Sequence, residues 1–187
     1  FSFDEGMVAL GAGIVSTSGA PVHTTINQAV AEDNATVGGA AVPSGTEDRP
    51  VDARWAYNDE VGYVFASGQD VQVSRATQSG SWDGGETVSR EAFSLVVDHG
   101  VAPRGATYDY TVHPAATPAA VEAYAAEPAV RTLRNDTEIQ AVRHGATGIT
   151  MATFYRAGAL ELGDGRTLSV DQPAIVLLDE RGGTPVV

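Results

Sequence analysis

The feature that most constrains the fold is the alternation of apolar and polar side chains at every second position along much of the chain. The alternating sets are Val61, Tyr63 and Phe65; Val71 and Val73; Phe93, Leu95 and Val97; and Tyr108, Tyr110 and Val112. Successive side chains of a β-strand point to opposite faces of the sheet, so this pattern is typical of strands that are buried on one face. Several such segments separated by turns predict antiparallel sheets packed into a sandwich.

Turn residues and one short helix separate these strands. Asp164-Gly165 lies between two apolar segments and predicts a β-hairpin whose glycine adopts positive φ. Thr117 is a good helix N-cap, Pro118 suits the first helical position, and Pro128 ends the helix after about two turns. Residues 31–52 contain few large apolar side chains, so we expect a long loop there with at most a short strand inside it. The fold class is therefore all-β with one short helix.

Composition and charge exclude several classes of protein. The chain has 187 residues, of which 43% are hydrophobic, and this is enough to bury a core. It contains no cysteine, which rules out disulfides, thiolate metal sites and a cysteine nucleophile. The formal net charge of −13 repels phosphate backbones, so we expect no nucleic-acid partner. No apolar run approaches the ~18–20 residues that span a bilayer, so we expect no membrane segment.

Two features bear on the limits of the chain and its domains. Phe1-Ser2-Phe3-Asp4 has neither an initiator Met nor the start of a signal peptide, so we expect residue 1 to be an internal position or a processed end. A change of composition over residues 129–145 indicates a joint, because the helix ends before it and strands resume after it. We predict a domain over residues 1–137 and the beginning of a second, incomplete β domain over residues 138–187.

The sequence contains no convincing local motif for catalysis, cofactor binding or metal binding. Gly11-Ala12-Gly13 matches the start of a dinucleotide fingerprint, but residue 16 is Ser and no helix follows, so close strand packing is favoured. The sequence contains no GxSxG, P-loop or HExxH motif. The four histidines, His23, His99, His113 and His144, do not have the spacing of metal ligands. We therefore predict no metal and no cofactor.

Asp98-His99 invites comparison with a catalytic base and the carboxylate that orients it. Adjacent residues of a strand point to opposite faces, so these two side chains are not expected to bond to each other. The pair stands before Gly100, where a turn is favoured over catalysis.

Four aromatic residues are candidates for a sugar-binding surface, because flat rings stack on the apolar faces of pyranoses. They are Trp55, Tyr57, Tyr63 and Trp82. The alternative is that these rings fill the core and satisfy their polar atoms at its edge. The alternation of Tyr63 with Val61 and Phe65 favours the core for Tyr63, whereas Trp55 and Trp82 lie beside turns and both interpretations stay open.

Four segments carry a family resemblance through their order and separation. They are FDEGMVALGAGI and TTINQ (residues 3–14 and 24–28), VGYVF and GSW (61–65 and 80–82), DHG and YDYTVHP (98–100 and 108–114), and LRNDTEIQAV (133–142). In this order they resemble the β domains of polysaccharide lyase family 8, which comprises the hyaluronate, chondroitin AC and xanthan lyases. The resemblance covers most of the chain.

The resemblance implies a galactose-mutarotase-like supersandwich followed by part of a smaller β-sandwich, with an N-terminal α/α toroid before them in the protein. It implies β-elimination at an acidic sugar, with the catalytic Asn, His, Tyr and Arg in the toroid and a supporting Glu in an N-x-E-N segment. This sequence has no such segment, so no catalytic residue is assigned. A segment that varies within the family falls at residues 55–59, where a cleft-facing role is expected. The candidate substrate-binding residues are Trp55, Tyr57 and Asn58 from this segment, together with Trp82.

The leading hypothesis is therefore a β-domain fragment of a secreted bacterial lyase that cleaves hyaluronan, chondroitin or xanthan. The fragment alone is expected to be inactive and to form a wall of the cleft. Because of its negative charge, we expect a cationic wall for an acidic substrate to come from elsewhere in the protein. The alternatives are a stand-alone carbohydrate-binding or scaffold module, and a mutarotase-like enzyme, which would need histidines and carboxylates paired in a pocket.

Overall fold

The computed structural model describes residues 1–51, 53–66, 68–81, 83–163 and 165–181. The strands before the helix are β1 (Ser2–Phe3), β2 (Gly6–Val15), β3 (Pro21–Val30), β4 (Thr36–Val37), β5 (Ala40–Ala41), β6 (Thr46–Pro50), β7 (Trp55–Asn58), β8 (Val61–Phe65), β9 (Val71–Ser81), β10 (Thr87–Val101) and β11 (Arg104–Pro114). The helix is α1 (Pro118–Ala126). The strands after it are β12 (Val130–Asn135), β13 (Ile139–His144), β14 (Thr150–Phe154), β15 (Gly158–Glu161), β16 (Thr167–Val170) and β17 (Ala174–Leu178).

Two antiparallel sheets form the larger part of the molecule. One has seven strands in the order β1-β2-β11-β8-β7-β4-β5, and the other has four in the order β3-β10-β9-β6. Their facing side chains form a shared core that includes Tyr63 and Phe65 from the first sheet and Val73, Phe93 and Leu95 from the second. The alternating positions of the sequence supply these side chains, and the prediction of an all-β sandwich is confirmed.

Helix α1 covers part of the outer face of the seven-stranded sheet. The Thr117 side chain accepts a hydrogen bond from the backbone N–H of Ala120, and a proline occupies the first turn, as predicted. Val121 and Ala125 pack on the outer face of β7 and β8. Strand β8 is consequently buried on both faces, whereas its alternation predicted burial on one face only. A β-carbon at Gly62 would lie 2.1 Å from Val121 Cγ2, so the helix packs where β8 has no side chain.

The C-terminal part has its own core. A four-stranded sheet, β12-β13-β14-β17, packs against the hairpin β15-β16. The hairpin was predicted correctly: Leu160 pairs with Leu168 and Gly165 has φ of +82°, while Asp164 lies outside the described residues. Strand β12 pairs with β13 across the predicted division at residues 137 and 138, and that division stays a prediction.

The segment over residues 31–52 differs from the expected loop. It contains three short strands, β4, β5 and β6, which extend both sheets of the sandwich. Its few apolar side chains, Ala35, Val37 and Val42, are nevertheless buried in the main core. Among the described residues, no helix combines the length and the apolar character needed to cross a bilayer.

Candidate functional site

The candidate substrate-binding residues that the structure describes all lie on β7. The exposed fractions of Trp55, Tyr57 and Asn58 are 6%, 5% and 1%. The two rings pack with Val121 and Ala125 of α1, and the helix therefore covers the face that a sugar would need. Trp82, the fourth candidate, lies outside the described residues.

Hydrogen bonds account for the buried amide of Asn58. Its Oδ1 accepts from the backbone N–H of Glu32 at 3.2 Å, and its Nδ2 donates to the carbonyl oxygen of Val30 at 3.5 Å. These bonds tie β7 to the end of β3, on the opposite sheet. A substrate-binding role for Trp55, Tyr57 and Asn58 thus gains no support from their surroundings and stays a prediction.

Tyr63 occupies the core, as its alternation with apolar residues predicted. Its exposed fraction is 4%, and its hydroxyl accepts a hydrogen bond from the Asn27 side chain across the sandwich. Burial raises the pKa of the Tyr63 hydroxyl. The ring is a structural bridge between the two sheets, since its only polar atom is bonded inside the core.

Asp98 and His99 bond to different partners, as predicted. Asp98 accepts from the Gly100 backbone N–H at 2.8 Å and from Gln72 Nε2 at 2.7 Å. His99 Nε2 lies 2.8 Å from the Thr24 hydroxyl. The prediction that this pair forms a turn is wrong: both residues lie within β10, at an irregularity in its pairing with β3, where Gly100 has φ of +71° and donates to Asp98. Asp98 also lies 3.3 Å from His23 Nε2, a contact that the sequence did not suggest.

We call the contact between the larger sandwich and the C-terminal sheet the junction. It contains a polar cluster of Glu5, His113, Tyr124 and His144. The backbone N–H of Thr147 donates to His144 Nδ1 at 3.2 Å, so Nδ1 carries no proton. His144 Nε2 therefore carries the proton and donates to the Glu5 carboxylate at 3.0 Å. This bond from His144 lowers the pKa of Glu5.

His113 is equally well satisfied. Its Nδ1 lies 2.9 Å from the carbonyl oxygen of Glu5, which can only accept, so Nδ1 carries the proton. Its Nε2 then accepts from the Thr111 hydroxyl at 2.8 Å. The ring packs on Tyr124 with centroids 4.1 Å apart, and burial lowers the pKa of His113. Both nitrogens of each junction histidine are hydrogen-bonded, so neither ring has a free nitrogen to act as a base.

Asn135 completes the junction from β12. Its Nδ2 donates to the carbonyl oxygens of Gly11 at 3.2 Å and of Tyr108 at 2.9 Å. Its Oδ1 accepts from Gln140 Nε2 at 3.1 Å, so every polar atom of the side chain is bonded. The amide thereby ties the C-terminal sheet to two neighbouring strands of the larger one.

An open groove runs along β11 between α1 and the C-terminal sheet. In register, Thr111 stands beside Val64, which α1 covers, and beside Val8, which the C-terminal sheet covers. Asp109 and Thr111 share this outer face because they are two residues apart in one strand. They line a groove of about 360 Å³ together with Tyr124 of α1. We call it the β11 groove.

Two arginines border the β11 groove from opposite sides. Arg54 precedes β7, and Arg131 lies in β12, which also contributes Thr132 to the lining. Burial raises the pKa of the Asp109 carboxyl, and a hydrogen bond with the Thr132 side chain opposes that rise. The groove thus adds a few charged and hydroxyl groups to a lining that also contains Val64, Phe65 and Val130, and ligand sites commonly combine an apolar lining with a few polar groups.

Sequence reasoning did not identify the junction or the β11 groove. Glu5 lies 108 positions before His113 and 139 positions before His144, so the three residues meet only through tertiary packing. The one available signal was the YDYTVHP strand, which contains Asp109, Thr111 and His113. In the part of the chain that the structure describes, no three His, Cys, Asp or Glu side chains are placed to share a metal ion.

Comparison with known proteins assigns both parts of the chain. Residues 1–125 match polysaccharide lyase family 8, super-sandwich domain, and residues 131–187 match polysaccharide lyase family 8, C-terminal beta-sandwich domain. The chain is 31% identical to chondroitinase-AC of Pedobacter heparinus, over all of this chain and 28% of that protein. It is 34% identical to hyaluronate lyase of Thermasporomyces composti, over all of this chain and 25% of that protein.

Solved structures of family relatives resemble this chain over nearly its whole length. A chondroitinase AC lyase, determined in complexes with oligosaccharides, superimposes with a TM-score of 0.90 at 30% identity, over 99% of this chain and 28% of the other. A Paenibacillus xanthan lyase gives a TM-score of 0.84 at 28% identity, over 95% of this chain and 19% of the other. The chain therefore spans about a quarter of the length of these relatives. On this evidence it belongs to polysaccharide lyase family 8.

Proposed function

We propose that this chain is the β part of a polysaccharide lyase that cleaves hyaluronan, chondroitin or xanthan by β-elimination, leaving unsaturated uronate ends. The observation that carries the proposal is the match to family 8 over both β units, since the relatives compared are lyases of these polymers. We further propose that the complete protein is secreted and contains an N-terminal α/α toroid, which supplies the catalytic residues.

The role proposed for this chain is to support the toroid and to form a wall of the substrate cleft. β-Elimination needs a base for the C5 proton and donors for the charge that develops on the carboxylate. The histidines of the junction have both nitrogens bonded, and the Tyr124 hydroxyl accepts from the backbone N–H of Val130 at 3.3 Å. These groups are committed to packing, which favours a structural role over a catalytic one.

The test of the proposed activity uses the complete protein expressed from its gene. We expect ultraviolet absorbance of unsaturated uronate to rise with time on at least one of hyaluronan, chondroitin sulfate and xanthan. The 187-residue chain, used alone at the same concentration, is the matched control and should give no rise. Absence of the product from all three polymers would contradict the activity, and a rise with the chain alone would contradict its structural role.

A further inference from the structure

The lining of the β11 groove contains two arginines that make no ion pair with a described residue. Among the described residues, the arginines at positions 75, 134, 143, 156, 166 and 181 contact carboxylates, whereas those at positions 49, 90 and 104 do not. Among the described residues, Arg54 has no carboxylate partner, and Arg131 donates only to the carbonyl oxygen of Leu162, at 3.4 Å. In a chain of net charge −13, two arginines against the single carboxyl of Asp109 give this groove a local excess of positive charge.

The shape of the surface suits an extended ligand. A second hollow of about 370 Å³ adjoins the β11 groove and shares Arg54, Phe65 and Ala66 with it. Arg54 therefore lies between two connected hollows, and each has the size of typical small-molecule sites, about 300–1,000 Å³. Gln69 lines the second hollow, and its Oε1 accepts from the backbone N–H of Asp109 at 3.3 Å. A chain of sugar units could lie along both hollows.

The side chains of the groove match the chemistry of an acidic sugar. A guanidinium presents planar N–H groups that pair with a carboxylate or a sulfate through two parallel hydrogen bonds. The Thr111 hydroxyl donates to His113 and the Thr132 side chain bonds to Asp109, so the oxygens of these groups are left to accept hydrogen bonds from sugar hydroxyls. Tyr124 packs on His113 and also lines the groove, so it adds an aromatic surface.

We propose that the β11 groove is a binding site for a short stretch of acidic polysaccharide, with Arg54 and Arg131 pairing with the carboxylate or sulfate groups of the sugars. The site holds the polymer beside the C-terminal sheet. The choice of an acidic glycan rests on the proposed function, whereas the charge and shape of the groove do not.

The test is isothermal titration of the 187-residue chain with hyaluronan hexasaccharide and with chondroitin sulfate hexasaccharide. We expect at least one of them to bind, and Arg54→Gln and Arg131→Gln each to weaken that binding about tenfold, as loss of a charge-assisted hydrogen bond implies. Arg104→Gln is the matched control, because Arg104 is also exposed, loses the same charge and lies outside the groove. Binding to the control should stay within about twofold of the unchanged chain.

A second measurement needs no substitution. Amide chemical shifts of the ¹⁵N-labelled chain should change on β11 and at the start of β12 when the hexasaccharide is added, and should stay constant when neutral N-acetylchitohexaose is added. Three results would overturn the proposal: no binding of either acidic hexasaccharide, equal weakening by Arg104→Gln, or equal binding of the neutral hexasaccharide. Because the readout is equilibrium binding, its failure is distinct from failure of the complete protein to form unsaturated uronate.

Discussion

The junction and the β11 groove lie side by side on the outer face of the seven-stranded sheet, and both are rich in polar side chains. In the junction, His113, His144 and Asn135 have their hydrogen-bonding atoms paired inside the molecule. In the groove, Arg54 and Arg131 have no carboxylate partner among the described residues. Asp109, Thr111 and Thr132 of the groove are hydrogen-bonded, so the two regions differ in the two arginines, which have no opposite charge beside them.

That difference separates stability from binding. A buried polar group that loses its partner costs about 1–3 kcal/mol, so substitutions in the junction should lower the free energy of unfolding. An exposed charge without a partner contributes little to folding and keeps its full capacity to bind a ligand. Substitutions in and beside the two regions, together with changes of pH, test this separation.

The largest effect on stability is expected for Trp55, whose ring packs against α1. Trp55→Ala should lower the free energy of unfolding by about 4 kcal/mol, because the ring is buried beneath α1. The measurement is the midpoint of urea unfolding, with Ile175→Ala as the control, since Ile175 is 86% exposed and should change stability by less than about 0.5 kcal/mol. A stable Trp55→Ala chain that no longer binds hexasaccharide would instead support the substrate-binding prediction for this residue.

In the junction, Asn135→Ala should lower the free energy of unfolding by about 2 kcal/mol, because the carbonyl oxygens of Gly11 and Tyr108 lose their shared donor. The same urea titration measures it. Gln78→Ala is the control, because it removes an exposed side-chain hydrogen bond to Gln28 and should change stability by less than about 0.5 kcal/mol. Equal effects of the two substitutions would contradict the importance given to the junction.

The pH dependence of stability also reports on the junction. Burial lowers the pKa of His113 below its ordinary value of 6.5, so the unfolded chain binds more protons than the folded one. The stability from this group is therefore complete above pH 6.5 and is lost as the pH falls below it. We expect the urea midpoint to fall between pH 7 and pH 5, and to fall less in His113→Gln.

Part of that loss should remain in His113→Gln, because burial also lowers the pKa of His99. The comparison between pH 7 and pH 8 is the internal control, since both values lie above the ordinary pKa of a histidine. An identical fall between pH 7 and pH 5 with and without His113 would show that this buried ring does not control the acid sensitivity.

The smallest effect on stability is expected in the groove. Arg54→Gln and Arg131→Gln should each change the free energy of unfolding by less than about 0.5 kcal/mol, because both side chains are exposed and make no ion pair with a described residue. Thermal unfolding in the absence of saccharide measures this. Arg75→Gln provides the contrast, since Arg75 is 9% exposed and donates to Glu91 at 2.8 Å. A large loss of stability in the groove variants would show that their arginines are structural.

The sequence predicted the elements whose cause is local. Period-2 alternation identified β8, β9, β10 and β11, and the cap at Thr117 with the proline after it located α1 within one or two residues. Two features were missed because their cause is not local. Burial of Val64 on the second face of β8 depends on a helix more than 50 positions later. Strands β4 and β6 form with few large apolar side chains because β7 and β9, which are distant in the sequence, pair with them.

Family membership could be predicted from the order of short motifs, and the candidate site could not. The sequence allows Trp55 either to bind sugar at the surface or to fill the core. Its burial depends on the packing of α1 against β7, which no local pattern predicts. Arg54 and Arg131 gave no signal at all, because an isolated arginine has no pattern and these two meet only across the groove. Spacing along the chain carries no information about contacts of this kind.

The shared amide of Asn135 has a mechanical consequence. It holds the carbonyl oxygens of Gly11 and Tyr108, which lie opposite each other on strands β2 and β11 and are already joined through the backbone ladder. A tensile load on the C-terminal sheet is consequently divided between two strands, and neither can be peeled away alone. Because β11 is one of the two, a polymer pulling on the C-terminal sheet would also strain the strand that forms the floor of the groove.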